Sequence, residues 1–98
     1  MSESIFRYRL PKSADVIELE ATIMLAFMAT ESLHGESQVR LELRHAFDPT
    51  ARTCVVDASG DVGRDFNRLL LGFISREFGK ESFRVDAVDD MIPASPAV

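Results

Sequence analysis

Ninety-eight residues, 46% of them hydrophobic and 28% charged, supply one globular core and leave too little for a second. Eleven Lys and Arg against sixteen Asp and Glu give a net charge of −5, which disfavours wholesale electrostatic binding to nucleic acid. The single cysteine, Cys54, excludes an internal disulfide and any zinc site built on several cysteines, and the balanced composition excludes a disordered or collagen-like chain.

Residues 4–10 (SIFRYRL) alternate, with Phe6, Tyr8 and Leu10 on one side and Ile5, Arg7 and Arg9 on the other. This is a strand pattern, and Pro11 ends it. The preceding Met1-Ser2-Glu3-Ser4 is polar and acidic, and no secretory signal is expected from it. Asp15 followed by Glu18 has capping-box spacing, so a helix is expected to start there. Val16, Leu19, Ile23, Ala26, Phe27 and Thr30 then share one helical stripe, and His34-Gly35 supplies the stop. Val16–Thr22 also alternates like a strand; the cap and the run of good helix formers favour helix. The apolar run Ala21–Ala29 is shorter than half of the roughly twenty residues that span a membrane. A soluble, cytoplasmic protein is expected.

Val39–Phe47 (VRLELRHAF) alternates cleanly and reads as a second strand. Asp48-Pro49-Thr50-Ala51 suits a type I turn, and Arg52–Ala58 is the returning strand of the hairpin. Closing the turn at Asp48–Ala51 pairs Phe47 with Arg52 and His45 with Cys54. Ser59-Gly60-Asp61 opens a second helix with Val62, Phe66, Leu69, Leu70, Phe73 and Ile74 on one face, and Phe78-Gly79 closes it. Ser82–Val88 is the last strand, and 91–98, with two prolines, reads as a flexible tail beyond a domain of residues 1–90.

The order strand, helix, strand, strand, helix, strand predicts an α+β fold, a ferredoxin-like βαββαβ two-layer sandwich with two helices on one face of an antiparallel sheet. An internal echo supports it: Gly35–Glu42 and Gly79–Asp86 match in character at an offset of 44. Strand parity then places Arg7, Arg9, Arg40, Glu42, Arg44, Thr53, Val55, Asp57, Arg84 and Asp86 on the face away from the helices. Arginine forks there suit phosphate or carboxylate, or simply cross-strand ion pairs. The face holds no aromatic for base stacking, which argues against RNA recognition, and its charge argues against two sheets stacking. Two activities of this fold are disfavoured by signature. The metal chaperones need a CxxC pair, and the acylphosphatases need a glycine-rich loop after the first strand, where Arg9-Leu-Pro-Lys-Ser-Ala-Asp15 stands.

Three constellations carry possible chemistry. Ser59, Gly60, Gly63, Arg64 and Arg68 lie where a strand enters a helix and could hold a small anion on free N–H groups. Against that, Asp61–Arg64 and Asp65–Arg68 have the spacing of ordinary i,i+3 pairs. Cys54 beside His45 could be an activated thiol, but no third group orients the pair, and His34 is remote from a metal-binding trio. No catalytic residue, cofactor or metal ligand is assigned. The first helix carries Ile17, Met24, Leu25 and Met28, with Ala21 among them, on a flank beside its core stripe, a second apolar row that is either covered by the C-terminal tail or the second helix or marks a contact surface. The leading expectation is a non-enzymatic interaction or regulatory module with a protein partner, self-associating through this helix into a homo-oligomer. The alternative is a small anion or metabolite binder using the 59–68 loop and the arginine face.

Overall fold

The computed structural model describes residues 4–89, so the expected tail over 91–98 lies outside the described residues. In chain order the elements are β1 (Ile5–Arg9), α1 (Val16–His34), α2 (Glu36–Glu42), β2 (His45–Asp48), β3 (Thr53–Asp57), α3 (Asp61–Phe78) and β4 (Arg84–Val88). The fold is α+β: one four-stranded sheet in the order β2-β3-β1-β4, antiparallel at every pair, with three helices.

The alternation in β1 sets the two faces of this sheet. Tyr8 lies opposite Cys54 and Val85, and Phe6 opposite Val56 and Ala87. On that side Tyr8, Cys54 and Val56 join Leu19, Ile23 and Ala26 of α1 and Phe66, Leu70 and Ile74 of α3 in one buried cluster. Burying each large apolar side chain is worth roughly 1.5–3 kcal/mol, and this cluster is what holds α1 and α3 on the sheet. Tyr8 keeps its hydroxyl satisfied by donating to Asn67 Oδ1 at 2.6 Å, while its ring stacks on Phe83. The other face carries Arg7, Arg9, Arg84 and Asp86, with Arg9 and Asp86 paired at 3.3 Å. Val55 sits between Arg7 and Ala46 on that face and is nonetheless fully buried.

Helix α1 begins where the cap predicts. The Ile17 N–H donates to Asp15 Oδ1 at 2.9 Å, and the VIELEAT stretch is helical throughout. Gly35, at φ 89°, closes it with its N–H on the Glu31 carbonyl, and Gly79, at φ 96°, closes α3 in the same way on Ser75. The 44-residue echo therefore holds at the two helix stops, and there it ends. After Gly79 the chain runs through a short turn into β4, whereas after Gly35 it turns directly into a further helix.

That helix, α2, is the main departure from the sequence reading. The expected strand Val39–Phe47 is helical as far as Glu42 and pairs with the sheet only from His45. Glu36–Arg40 and Gln38–Glu42 are i,i+4 pairs that support the helix on its solvent side. Val39 is fully buried where α2 packs on α1 and α3, and Leu41, inward in a strand, is 83% exposed. Arg40 and Glu42 thus leave the sheet face and decorate a helix. The hairpin register also differs from expectation: Phe47 lies opposite Cys54 and His45 opposite Val56. The cause is a longer loop. Asp48 Oδ1 accepts the Thr50 and Ala51 N–H groups, and Ala51 and Arg52, the latter at φ 57°, both join the loop before pairing resumes at Asp48–Thr53, a shift of two residues that keeps each side chain on its face.

Candidate functional site: the outer face of α1

The core-facing side of α1 is Leu19, Thr22, Ile23, Ala26 and Thr30. Its two buried threonines are satisfied locally, their hydroxyls donating to the Glu18 and Ala26 carbonyls. At about 100° per residue, the direction opposite this core stripe is occupied by Ile17, Ala21, Met24, Leu25 and Met28. The structure leaves the four large side chains open: Ile17 is 73% exposed, Met24 53%, Leu25 57% and Met28 54%. The apolar row is therefore not a flank beside the core stripe but the outermost side of the helix. A surface helix normally carries its charges there. Here the charges are displaced to the borders as Glu18, Glu20 and Glu31, and α1 contains no Lys or Arg.

The spacing within the row is informative. Ile17, Ala21, Met24 and Met28 follow one another at 4, 3 and 4 residues, the a/d repeat of a coiled-coil seam over two heptads. Ala21 is the one small member of the row, and helical spacing alone places it there. Its small side chain leaves a dip in the row between Ile17 and Met24.

The 59–68 loop has a different geometry. Gly63 is buried against the end of β3, and Gly60 is the exposed residue that precedes α3. The Ser59 N–H donates to Asp57 Oδ1 at 3.0 Å, Arg64 pairs with Asp61, and Arg68 lies 3.9 Å from Asp65. The Ser59 N–H and the two guanidinium groups thus already meet carboxylates of their own segment, whereas Gly60 puts no side-chain cap on the first turn of α3. A separate cleft of about 280 Å³ beyond β1 gathers Arg9, Lys12 and Arg84 beside Glu81.

His45 and Cys54 share the inner face of the sheet. The ring of His45 packs against Phe27 and Phe66, with centroids 6.2 and 5.1 Å away, and burial lowers its pKa from the ordinary 6.5. Burial pushes the Cys54 thiol up to about 12, so the nucleophilic thiolate is disfavoured rather than promoted. Iodoacetamide at pH 8 is expected to label Cys54 only in denaturant; stoichiometric labelling of the folded protein, followed by intact mass, would contradict its place in the core. His34, by contrast, has a partner: its Nε2 is 2.8 Å from Asp65 Oδ2, joining the end of α1 to the start of α3. Thirty-one residues separate the two, and no local pattern signals the contact. Among the described residues no group of three His, Cys, Asp or Glu side chains is placed to hold a metal ion.

The depressed His45 pKa has a measurable consequence. Between its folded-state pKa and 6.5 the unfolded chain binds the proton that the folded protein refuses. The His45 contribution is therefore complete above about pH 6.5 and is lost as pH falls below it. Urea denaturation of wild type and His45→Phe at pH 7 and pH 5 is expected to show a smaller acid loss for the variant. Equal losses would place the pH dependence elsewhere.

Fold and surface together define a small α+β arrangement with an exposed apolar row on its longest helix. No family model, curated protein or solved structure matches this chain. No helix among the described residues is long and apolar enough to cross a membrane.

Proposed function

We propose that this protein is a non-catalytic interaction module of ferredoxin-like architecture that self-associates through the outer face of α1. The architectural part is supported by the connectivity. β1 and β2 flank β3, β3 and β4 flank β1, and each flanking pair is joined through helix, as in the split βαβ arrangement. The functional part rests on one observation, the Ile17–Ala21–Met24–Met28 seam exposed opposite the core. Leaving such a row in water is unfavourable, and homodimers are the commonest way of covering one. The sheet's outer face is a poorer candidate because its arginines and aspartates would have to be desolvated. Sedimentation velocity at tens of micromolar tests the proposal. A dimer supports it, and a monomer removes self-association.

A second reading, a binder of small anions, is favoured by Arg9, Lys12 and Arg84 lining the 280 Å³ cleft, with Arg9 also meeting Asp86 and Lys12 Nζ the Ala51 carbonyl. Phosphate that raises the melting temperature of wild type but not of Arg84→Ala would promote this reading. The same result with Arg64→Ala would return it to the 59–68 loop.

A further inference from the structure

Beside the seam, α1 and the edge strand β2 enclose a cleft of about 420 Å³ lined by Glu20, Ile23, Met24, Phe27, His45 and Phe47. Its strand-side wall is the short edge strand β2. Residues that would have extended the strand are wound into α2, and only His45–Asp48 remain to form the edge beneath α1. Its volume falls within the range of sites that enclose a small organic ligand, and its walls have the composition of such sites, apolar and aromatic with a few polar groups. Phe27 and Phe47 each contribute a ring to the lining and Ile23 an aliphatic side chain. Glu20 is the one carboxylate of the wall, and Lys and Arg are absent from it. Burial keeps the His45 imidazole in its uncharged form at neutral pH, so the inner wall does not repel a cation.

From this arrangement we infer that the cleft binds an amphipathic organic amine, an aromatic body held between Phe27 and Phe47 with its ammonium group at Glu20. Charge selects the amine over an acid of the same shape. The only ionised group in the wall is negative, the borders of α1 are glutamates, and the whole chain carries −5. The aromatic walls act in the same direction, since a ring face attracts a cation and not an anion. Met24, whose thioether adapts to irregular shapes, forms the lip between cleft and seam. The inference does not depend on self-association, because five of the six wall residues lie outside the seam.

Three indole compounds of one shape separate the contributions: tryptamine as the amine, tryptophol as its neutral isostere and indole-3-propionate as the anion. Titration into the ¹⁵N- and methyl-labelled protein is expected to give saturable shifts at His45, Phe47 and the Ile23 methyl with tryptamine. Tryptophol is expected to bind about five- to tenfold more weakly, the combined worth of an exposed ion pair and a cation–π contact, and indole-3-propionate weaker still. Glu20 is exposed, so Glu20→Gln should fold normally and remove the ion-pair part of the preference, weakening tryptamine about two- to fivefold while the ring contribution remains. The inference is overturned by absence of saturation with tryptamine, by equal binding of the anion, by an unaltered preference in Glu20→Gln, or by shifts confined to Ile17 and Met28. The last outcome would mean adsorption on the seam. A monomeric wild type would count against the self-association proposal and leave this titration unaffected.

Discussion

Replacing Gly63 with alanine is expected to destabilise the protein by about 3 kcal/mol or more, enough to abolish folding of a marginally stable small domain. Gly63 sits in the first turn of α3, buried against the end of β3. A methyl group at this position would fall inside the van der Waals shell of the Asp57 carbonyl oxygen, with the Asp57 carbonyl carbon at 3.1 Å and the Ala58 Cα at 3.2 Å. All three atoms are backbone, so no side chain can swing aside. Relief requires α3 to move off β3, and α3 carries Phe66, Leu70 and Ile74 of the core. The glycine is needed here for space and not for an unusual φ. Gly72, in the same helix with open space around its Cα, is the control. Gly72→Ala should be neutral or stabilising by up to about 1 kcal/mol, because alanine costs less chain entropy in a helix. Chemical denaturation of the two variants against wild type gives the comparison, and similar stabilities for both would mean that the β3–α3 junction is not close-packed.

Exchanging Met24 and Met28 for glutamate is expected to weaken self-association by at least about a hundredfold while leaving the fold unchanged. A two-fold pairing through the seam buries both methionines from each copy, so the double substitution places four carboxylates in one interface. Each uncompensated buried charge costs far more than a methionine contributes, and the losses reinforce one another. Both side chains are more than half exposed in the isolated chain, so the substitutions remove little from its own core. Circular dichroism and the melting temperature should therefore stay near the wild-type values while sedimentation shifts to monomer. Salt supplies an independent reading. Pairing two copies brings together helices bordered only by Glu18, Glu20 and Glu31, and these like charges repel. Raising ionic strength from about 0.05 to about 0.5 M should strengthen the dimer by screening that repulsion. Weakening by salt would instead indicate attraction between unlike charges, and with it a contact elsewhere. Unfolding of the double variant would make the row part of the core.

Much of this architecture is legible residue by residue because its signals are local. Asp15 caps α1, Gly35 and Gly79 end helices in a conformation that glycine tolerates, and the alternation of Phe6, Tyr8 and Leu10 sorts the two faces of β1. Each signal depends on neighbours a few residues away. The exposed row of α1 is legible for the same reason, since helical spacing alone puts Ile17, Met24, Leu25 and Met28 together. Its position opposite the core, rather than beside it, depends on which stripe the sheet covers.

Residues 36–47 show where local pattern stops deciding. VRLELRHAF satisfies strand alternation, yet Val39 and Leu43 are also four residues apart, one helical turn. The competition is settled by what lies nearby: a buried place for Val39 between α1 and α3 favours the helix, and Leu41 is left in solvent. The hairpin register likewise depends on Arg52 accepting a positive φ, which turn composition does not signal. The α1–β2 cleft joins two elements far apart in sequence. Phe27 and Glu20 come from a helix, His45 and Phe47 from the edge strand that α2 shortened, and none of the four carries a local mark of the others. Short-range patterns specify elements and faces; a site assembled from two elements exists only once long-range burial has chosen how far each element extends and in which register it pairs.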